Sequence, residues 1–371
     1  MSRNLFIVVL FVLLTACGKN PQAVEGPLTP ITFSASVNQG SLPGVDTHWN
    51  EGPSYDSALG VSTKASGEIS TLSALCEGGF GVFASYTGLY HYSESSVTSD
   101  FMHNQEVTWN GSDWEYDPVK YWPNEVGGHV SFFAYAPFSD GDPDNGSAGY
   151  CIPSFSHAKE QTDPWIIYRI HTDPAQQVDL LYSLPVLDQT RPEPAYKLPF
   201  DFRHALACVG DDISVDIAQD VKTKLDAFVS GSDMYDDAEI LLSNVTVTYT
   251  LIEKARLTLW NRGQANWSPV LSETGLTTRT VEYFNGERSL YRVSTAYEGS
   301  WSDSGNGVYY IPLVTESEHQ TANVQVTYLI RTYNGGDTID TEHPGDVTLT
   351  LKNFPAAYAE GKKLDIHVTL N

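Results

Sequence analysis

The sequence predicts a mainly β protein built as two antiparallel β-sandwich domains in tandem. Three observations carry this expectation. Many short segments alternate apolar and polar residues with a period of two, Gly-, Pro-, Asn- and Asp-rich turns separate them, and a single short segment has helical spacing.

The first amphipathic strand is Ile31 to Val37, with Ile31, Phe33, Ala35 and Val37 on one side and Thr32, Ser34 and Ser36 on the other. Asn38 to Gly60 reads as loop, so this strand stands apart from the domain it belongs to. The next strong strand signal runs from Gly79 to Tyr86. A hairpin follows, in which Val107 and Trp109 alternate with polar neighbours, Asn110-Gly111 turns the chain, and Trp114 and Tyr116 resume the alternation.

Val130 to Ala136 is apolar on both faces. Val130, Phe132, Ala134 and Ala136 point one way, Phe133 and Tyr135 the other, which places the strand at the centre of a domain. Trp165 to Ile170 reads as another apolar strand. Leu184 to Pro199 contains four prolines and reads as an interdomain connection or a long surface loop. In the second half, strands are expected around Val245 to Leu251, Val324 to Tyr328, Val347 to Leu351 and Leu364 to Leu370. The helical segment is Ala218 to Phe228, with Val221, Leu225 and Phe228 at helical spacing.

The chain of 371 residues has room for two domains, and its formal net charge is -25. Such a surface repels phosphate backbones and excludes nucleic acid as a partner. From Ala65 to Tyr168 the only basic residues are Lys120 and Lys159.

The amino terminus reads as an export signal over residues 1–16. Arg3 supplies the positive region, Leu5 to Leu14 the apolar region, and Leu14-Thr15-Ala16-Cys17 the end. Leu-x-Ala-Cys resembles a bacterial lipobox. It implies cleavage before Cys17 and lipid on that residue; an ordinary signal peptide cut nearby is the alternative. Gly18 after the cysteine favours the outer membrane by analogy with lipoprotein sorting. Residues 17–30 read as a tether. The expected domains are 31–190 and 191–371.

No motif of an enzyme is present: no Gly-x-Ser-x-Gly elbow, no phosphate loop, no His-Glu-x-x-His helix. No cofactor is expected. The ten histidines lack ligand spacing, so no metal site is expected either, and His204 reads as structural. Asp140 to Gly146 begins like a calcium loop, but Asn145 stands at the sixth position and Cys151 at the twelfth, so a solvated turn is the better reading. Cys76, Cys151 and Cys208 read as buried free thiols. Trp109, Trp114, Tyr121 and Trp122 either pack within the sheet or form a sugar-stacking platform.

The segments Trp114 to Pro118, Lys120-Tyr121-Trp122-Pro123 and Phe132-x-Ala134-Tyr135-Ala136-Pro137 resemble the fimbrillin-like lipoproteins of Bacteroidetes, as do Val178 to Tyr182 and Phe200 to Leu206. The resemblance implies transthyretin-like sandwiches and a fimbrial subunit or accessory or tip adhesin, whose partners are other fimbrial subunits, the outer membrane through its lipid, and a host or bacterial surface glycan or protein. It also implies that the first strand, Ile31 to Val37, is removed by a protease cutting after a basic residue, and that a strand of another subunit fills the groove. Thr63-Lys64-Ala65 stands where the family has a Thr-Arg pair. The processing site expected here is therefore Lys64–Ala65, with Lys replacing Arg; an uncut loop lysine is the alternative. No spare strand follows Leu364 to Leu370, which favours a subunit that accepts but does not donate. An anchor that keeps its lipid and a surface glycan-binding lipoprotein are the alternative roles.

Overall fold

The computed structural model describes residues 28–37, 61–68, 72–270, 275–313, 319–336, 338–352 and 360–371. The expected signal peptide, Cys17 and most of the tether lie outside the described residues.

The chain order is β1 (Phe33–Val37), β2 (Val61–Glu68), α1 (Leu72–Gly78), β3 (Phe80–Gly88), β4 (Met102–Trp109), β5 (Trp114–Glu115), β6 (His129–Ala136), α2 (Gly146–Cys151), β7 (Ser154–Phe155), β8 (Trp165–Arg169), β9 (Leu181–Ser183), β10 (Val186–Gln189) and β11 (Leu198–His204). It continues with β12 (Ala207–Ile217), α3 (Gln219–Ser230), β13 (Asp237–Ile252), β14 (Lys254–Thr258), β15 (Asn266–Pro269), β16 (Leu276–Arg292), β17 (Tyr297–Glu298), β18 (Trp301–Ser304), β19 (Val308–Tyr310), β20 (Thr321–Tyr333), β21 (Ile339–Lys352) and β22 (Lys362–Leu370). The protein is mainly β, as the alternation predicts.

Four sheets form. The first has the order β1-β11-β9-β6-β3-β4-β5, with β10 added beside β6. The second is β18-β12-β22-β2 with β19 also on β12, the third β17-β16-β13-β20-β21, and the fourth β15-β14-β8-β7. The alternation read from the sequence sets the faces. In β13, Val245, Val247, Tyr249 and Leu251 are buried while Thr246, Thr248 and Thr250 are partly exposed. In β6, Val130, Phe132, Ala134 and Ala136 enter one apolar cluster and Phe133 and Tyr135 another, so this central strand is buried on both faces.

The sheets are not wholly antiparallel. β1 runs parallel to β11, and β12 runs parallel to β22. Sheet membership changes at Ala205–Leu206, between β11 and β12, rather than at residue 190, because Leu198, Phe200 and Phe202 share the cluster of β3 and β6. β8, from the first half of the chain, pairs with β14 from the second. Within Leu184 to Pro199, Val186–Gln189 is a strand rather than loop. The expected helix is α3. Val221 and Leu225 rest partly buried against the larger cluster, and Phe228 is exposed. Among the described residues no helix is long and apolar enough to cross a membrane.

Candidate functional site: the first strand and its groove

β1 sits at the outer edge of the first sheet, and two segments grip the chain there. Residues 29–31 run beside 120–122: the Ile31 N–H donates to the Lys120 carbonyl at 2.9 Å, and the Trp122 N–H to the Thr29 carbonyl at 3.0 Å. Beyond Ile31 the partner changes. The Leu198 N–H donates to the Thr32 carbonyl at 2.7 Å, and from there Phe33 to Val37 lie in register with Leu198 to Phe202.

Of the four residues expected on the apolar side, Ile31 is 0% and Phe33 1% exposed, while Ala35 and Val37 are partly buried against the same cluster. Phe33 is the centre of an aromatic nest. Its ring centroid lies 5.4 Å from Tyr116, 5.5 Å from Phe200, 6.2 Å from Phe80 and 6.4 Å from Phe132. Burying an Ile or Phe side chain contributes roughly 1.5–3 kcal/mol. The first strand therefore fills an apolar slot and satisfies the edge of β11 at once.

Two side chains fix the strand's entry. The Tyr116 hydroxyl donates to the Ile31 carbonyl at 2.9 Å and accepts from the Lys120 N–H at 3.2 Å. Burial pushes this phenol up to about 12, so it stays a donor across the physiological range. Arg191 donates to Thr29 Oγ1 through Nη2 at 2.9 Å and Nε at 3.2 Å. Sequence reasoning missed Arg191, because nothing local in a proline-rich segment signals contact with a residue 162 positions away.

Lys64 and Ala65 lie in β2, not in a loop. β2 pairs antiparallel with β22, and Lys64 is in register with Asp365, Ala65 with Leu364.

The aromatic segment divides. In the predicted hairpin Trp109 and Trp114 are register partners, and the Ser112 and Asp113 N–H groups donate to Asn110 Oδ1 at 2.9 and 2.8 Å. The Trp114 ring meets Trp109 at 5.2 Å and Phe80 at 4.8 Å, closing the end of the apolar cluster. Trp109 is 37% and Tyr121 43% exposed. Trp122 is 2% exposed and packs edge-on against Phe132, so it is not part of a sugar platform; the pairing of 29–31 with 120–122 turns its ring inward.

The remaining candidates are structural in geometry. His204 is buried, with Nδ1 2.8 Å from Asp179 Oδ2. Asp140 accepts from the Asp142 N–H at 2.9 Å and from the Asn145 amide at 2.7 Å, and these bonds hold its carboxyl below the usual range in an exposed turn. Cys76, Cys151 and Cys208 are free, but only Cys151 and Cys208 are buried as expected, Cys76 being partly exposed; burial pushes the Cys151 thiol up to about 11 and Cys208 to about 12.

Comparison with known proteins agrees with the motifs in the middle of the chain. Residues 79–250 match the model of the family described as fimbrillin-like. A curated relative, fimbrium subunit Fim1C of Phocaeicola vulgatus, is 26% identical over 236 residues, which are 62% of this chain and 55% of that protein. The chain thus matches about half the length of this relative. The crystal structure of a fimbrial protein from Bacteroides vulgatus superposes with a TM-score of 0.57 at 20% identity, covering 81% of this chain and 91% of that one, and so shares the fold.

Proposed function

We propose that this chain, whose residues 79–250 match the fimbrillin-like family model, is a non-enzymatic fimbrial subunit or tip adhesin that assembles by strand complementation. β1 occupies the groove in the newly made protein. Cleavage at Lys64–Ala65 frees the segment that carries it, and a strand from another subunit takes its place beside β11. Lipid at Cys17 holds the precursor at the outer membrane. No step in this scheme requires a cofactor.

The observation that carries the reading is the position of β1. It is an edge strand, contributed by a segment distant from the rest of its sheet, with Phe33 seated among Phe80, Tyr116, Phe132 and Phe200. Its removal would expose an apolar slot and the backbone groups of Leu198 to Phe202 together. An incoming strand recovers both hydrogen bonds and burial, which is how strand addition gains affinity.

A second reading, an anchor that keeps β1 and its lipid, is favoured by one feature. The Lys64–Ala65 bond lies within a paired strand, and proteases act readily on exposed, unpaired chain. The amino-terminal sequence of the protein from cell surfaces and from shed filaments separates the two. A start at Ala65 supports the complementation subunit; a blocked start at Cys17 in every fraction overturns it in favour of the anchor.

A further inference from the structure

The geometry points to a transition-metal site formed by His91, His129 and Asp188, on a face of the first sheet that the strand-exchange groove does not use. These residues are far apart in sequence. His91 precedes the short turn Tyr92–Glu94, His129 opens β6, and Asp188 lies in β10. Each offers one ligand atom, and these atoms lie within 4.8 Å of one another. Tetrahedral zinc with ligand bonds near 2.0–2.2 Å holds its ligand atoms roughly 3.3–3.5 Å apart. Closure therefore needs about 1 Å of movement, within reach of rotation about the side chain of exposed His91.

Three features bring the three side chains together and fix their orientation. The two imidazole rings stack, with centroids 4.7 Å apart and planes 21° apart. His129 Nδ1 lies 3.2 Å from the Tyr90 carbonyl oxygen. A carbonyl only accepts, so Nδ1 is the donor and Nε2 is the nitrogen available to a metal, the arrangement in which metal-bound histidines are fixed. Asp188 is held in place: it stands at a β-bulge where β10 leaves register with β6, with φ +53°, a conformation that side-chain-bearing residues adopt at a cost. Its N–H donates to Ser131 Oγ at 2.9 Å, and its Oδ1 accepts from the Tyr92 N–H at 2.7 Å. Its Oδ2 pairs with His91 Nδ1 at 3.2 Å.

Two imidazoles and one carboxylate suit Zn²⁺, Ni²⁺ or Cu²⁺ and do not suit Ca²⁺ or Mg²⁺, which take all-oxygen shells. A bound ion would tie the 91–94 turn to β6 and β10, and would leave at least one coordination position for water or for a donor from a neighbouring molecule.

The test is a titration of the full chain, expressed without a polyhistidine tag and stripped with chelator, with Zn²⁺ against a chromophoric zinc indicator. The expected result is one saturable equivalent, weakened by at least about tenfold in His91→Gln and in His129→Gln. Zn²⁺, but not Ca²⁺, is expected to raise the Tm of the parent and leave that of the double variant unchanged. If His129→Gln alters the metal-free Tm, the exposed His91→Gln variant decides. Absence of a saturable equivalent in the parent, or one retained with full affinity by His91→Gln, overturns the assignment.

Discussion

The Phe33 ring stacks on Phe200 with centroids 5.5 Å and planes 26° apart, so the edge strand of the first sheet is held as much by its aromatic residue as by its backbone. Phe33→Ala would remove one ring from a nest of four others. Such a truncation in a packed core costs about 3–5 kcal/mol. In urea unfolding of the uncut chain, the midpoint is expected to fall accordingly. A loss below about 1 kcal/mol would show that β1 is not part of the cooperative core.

Gly210 makes a second, independent test. It has φ +72°, and a Cβ there would stand 2.2 Å from the Tyr249 hydroxyl and 2.7 Å from that of Tyr283. Those two hydroxyls are 2.6 Å apart, and Tyr283 also donates to the Gly210 carbonyl at 3.0 Å. The register of β12 against β22 shifts over the same stretch, between Val209 and Ile213. Gly210→Ala is expected to cost more than about 2 kcal/mol, from strain and overpacking together. Tyr249→Phe is expected to cost only about 1 kcal/mol. Denaturation midpoints of the two variants check the order.

Glu360 sets a pH dependence. Burial pushes its carboxyl up from 4.5 to about 7. The folded chain therefore binds this proton more tightly than the unfolded chain. The stability it contributes is full below pH about 4.5 and is lost as pH rises through about 7. Glu360→Gln is expected to match the parent at pH about 4 and to exceed it by up to about 3 kcal/mol at pH about 8. Urea melts at the two pH values read this directly; a constant difference between parent and variant would contradict it.

The aromatic segment yields a prediction about sugars. Trp122 lies beneath the chain and Trp114 packs on Phe80, which leaves Trp109 and Tyr121 without a shared stacking face built from all four residues. Oligosaccharides are expected to leave the tryptophan emission unchanged. A saturable shift abolished by Trp109→Ala would establish a platform instead.

Legibility followed the physics of each element. Alternation revealed which face of β13, β20 and β22 is apolar, because side-chain direction is a local property of a strand. It did not reveal partners. That β1 would run parallel to β11, or that β22 would lie between β12 and β2, depends on pairings across more than 100 residues. The groove was legible in part: Ile31 and Phe33 stood out as apolar, whereas Arg191 and the inward turn of Trp122 emerged only from the pairing of 29–31 with 120–122. His91, His129 and Asp188 have no common spacing, and a bulge in β10 is what brings them together.

Under the proposed scheme, in which the chain is cut at Lys64, the edge position of β1 would have a kinetic consequence. Before the cut the strand is tethered, and its return to the slot is a first-order event independent of dilution. Afterwards the molecule is a complex of a peptide and a scaffold, whose survival follows mass action and the peptide's dissociation rate. In that scheme Phe33, Tyr116 and Arg191 would act as a timer. They set how long a cleaved subunit stays capped, and hence how far it can diffuse from the protease before its slot opens to a competitor.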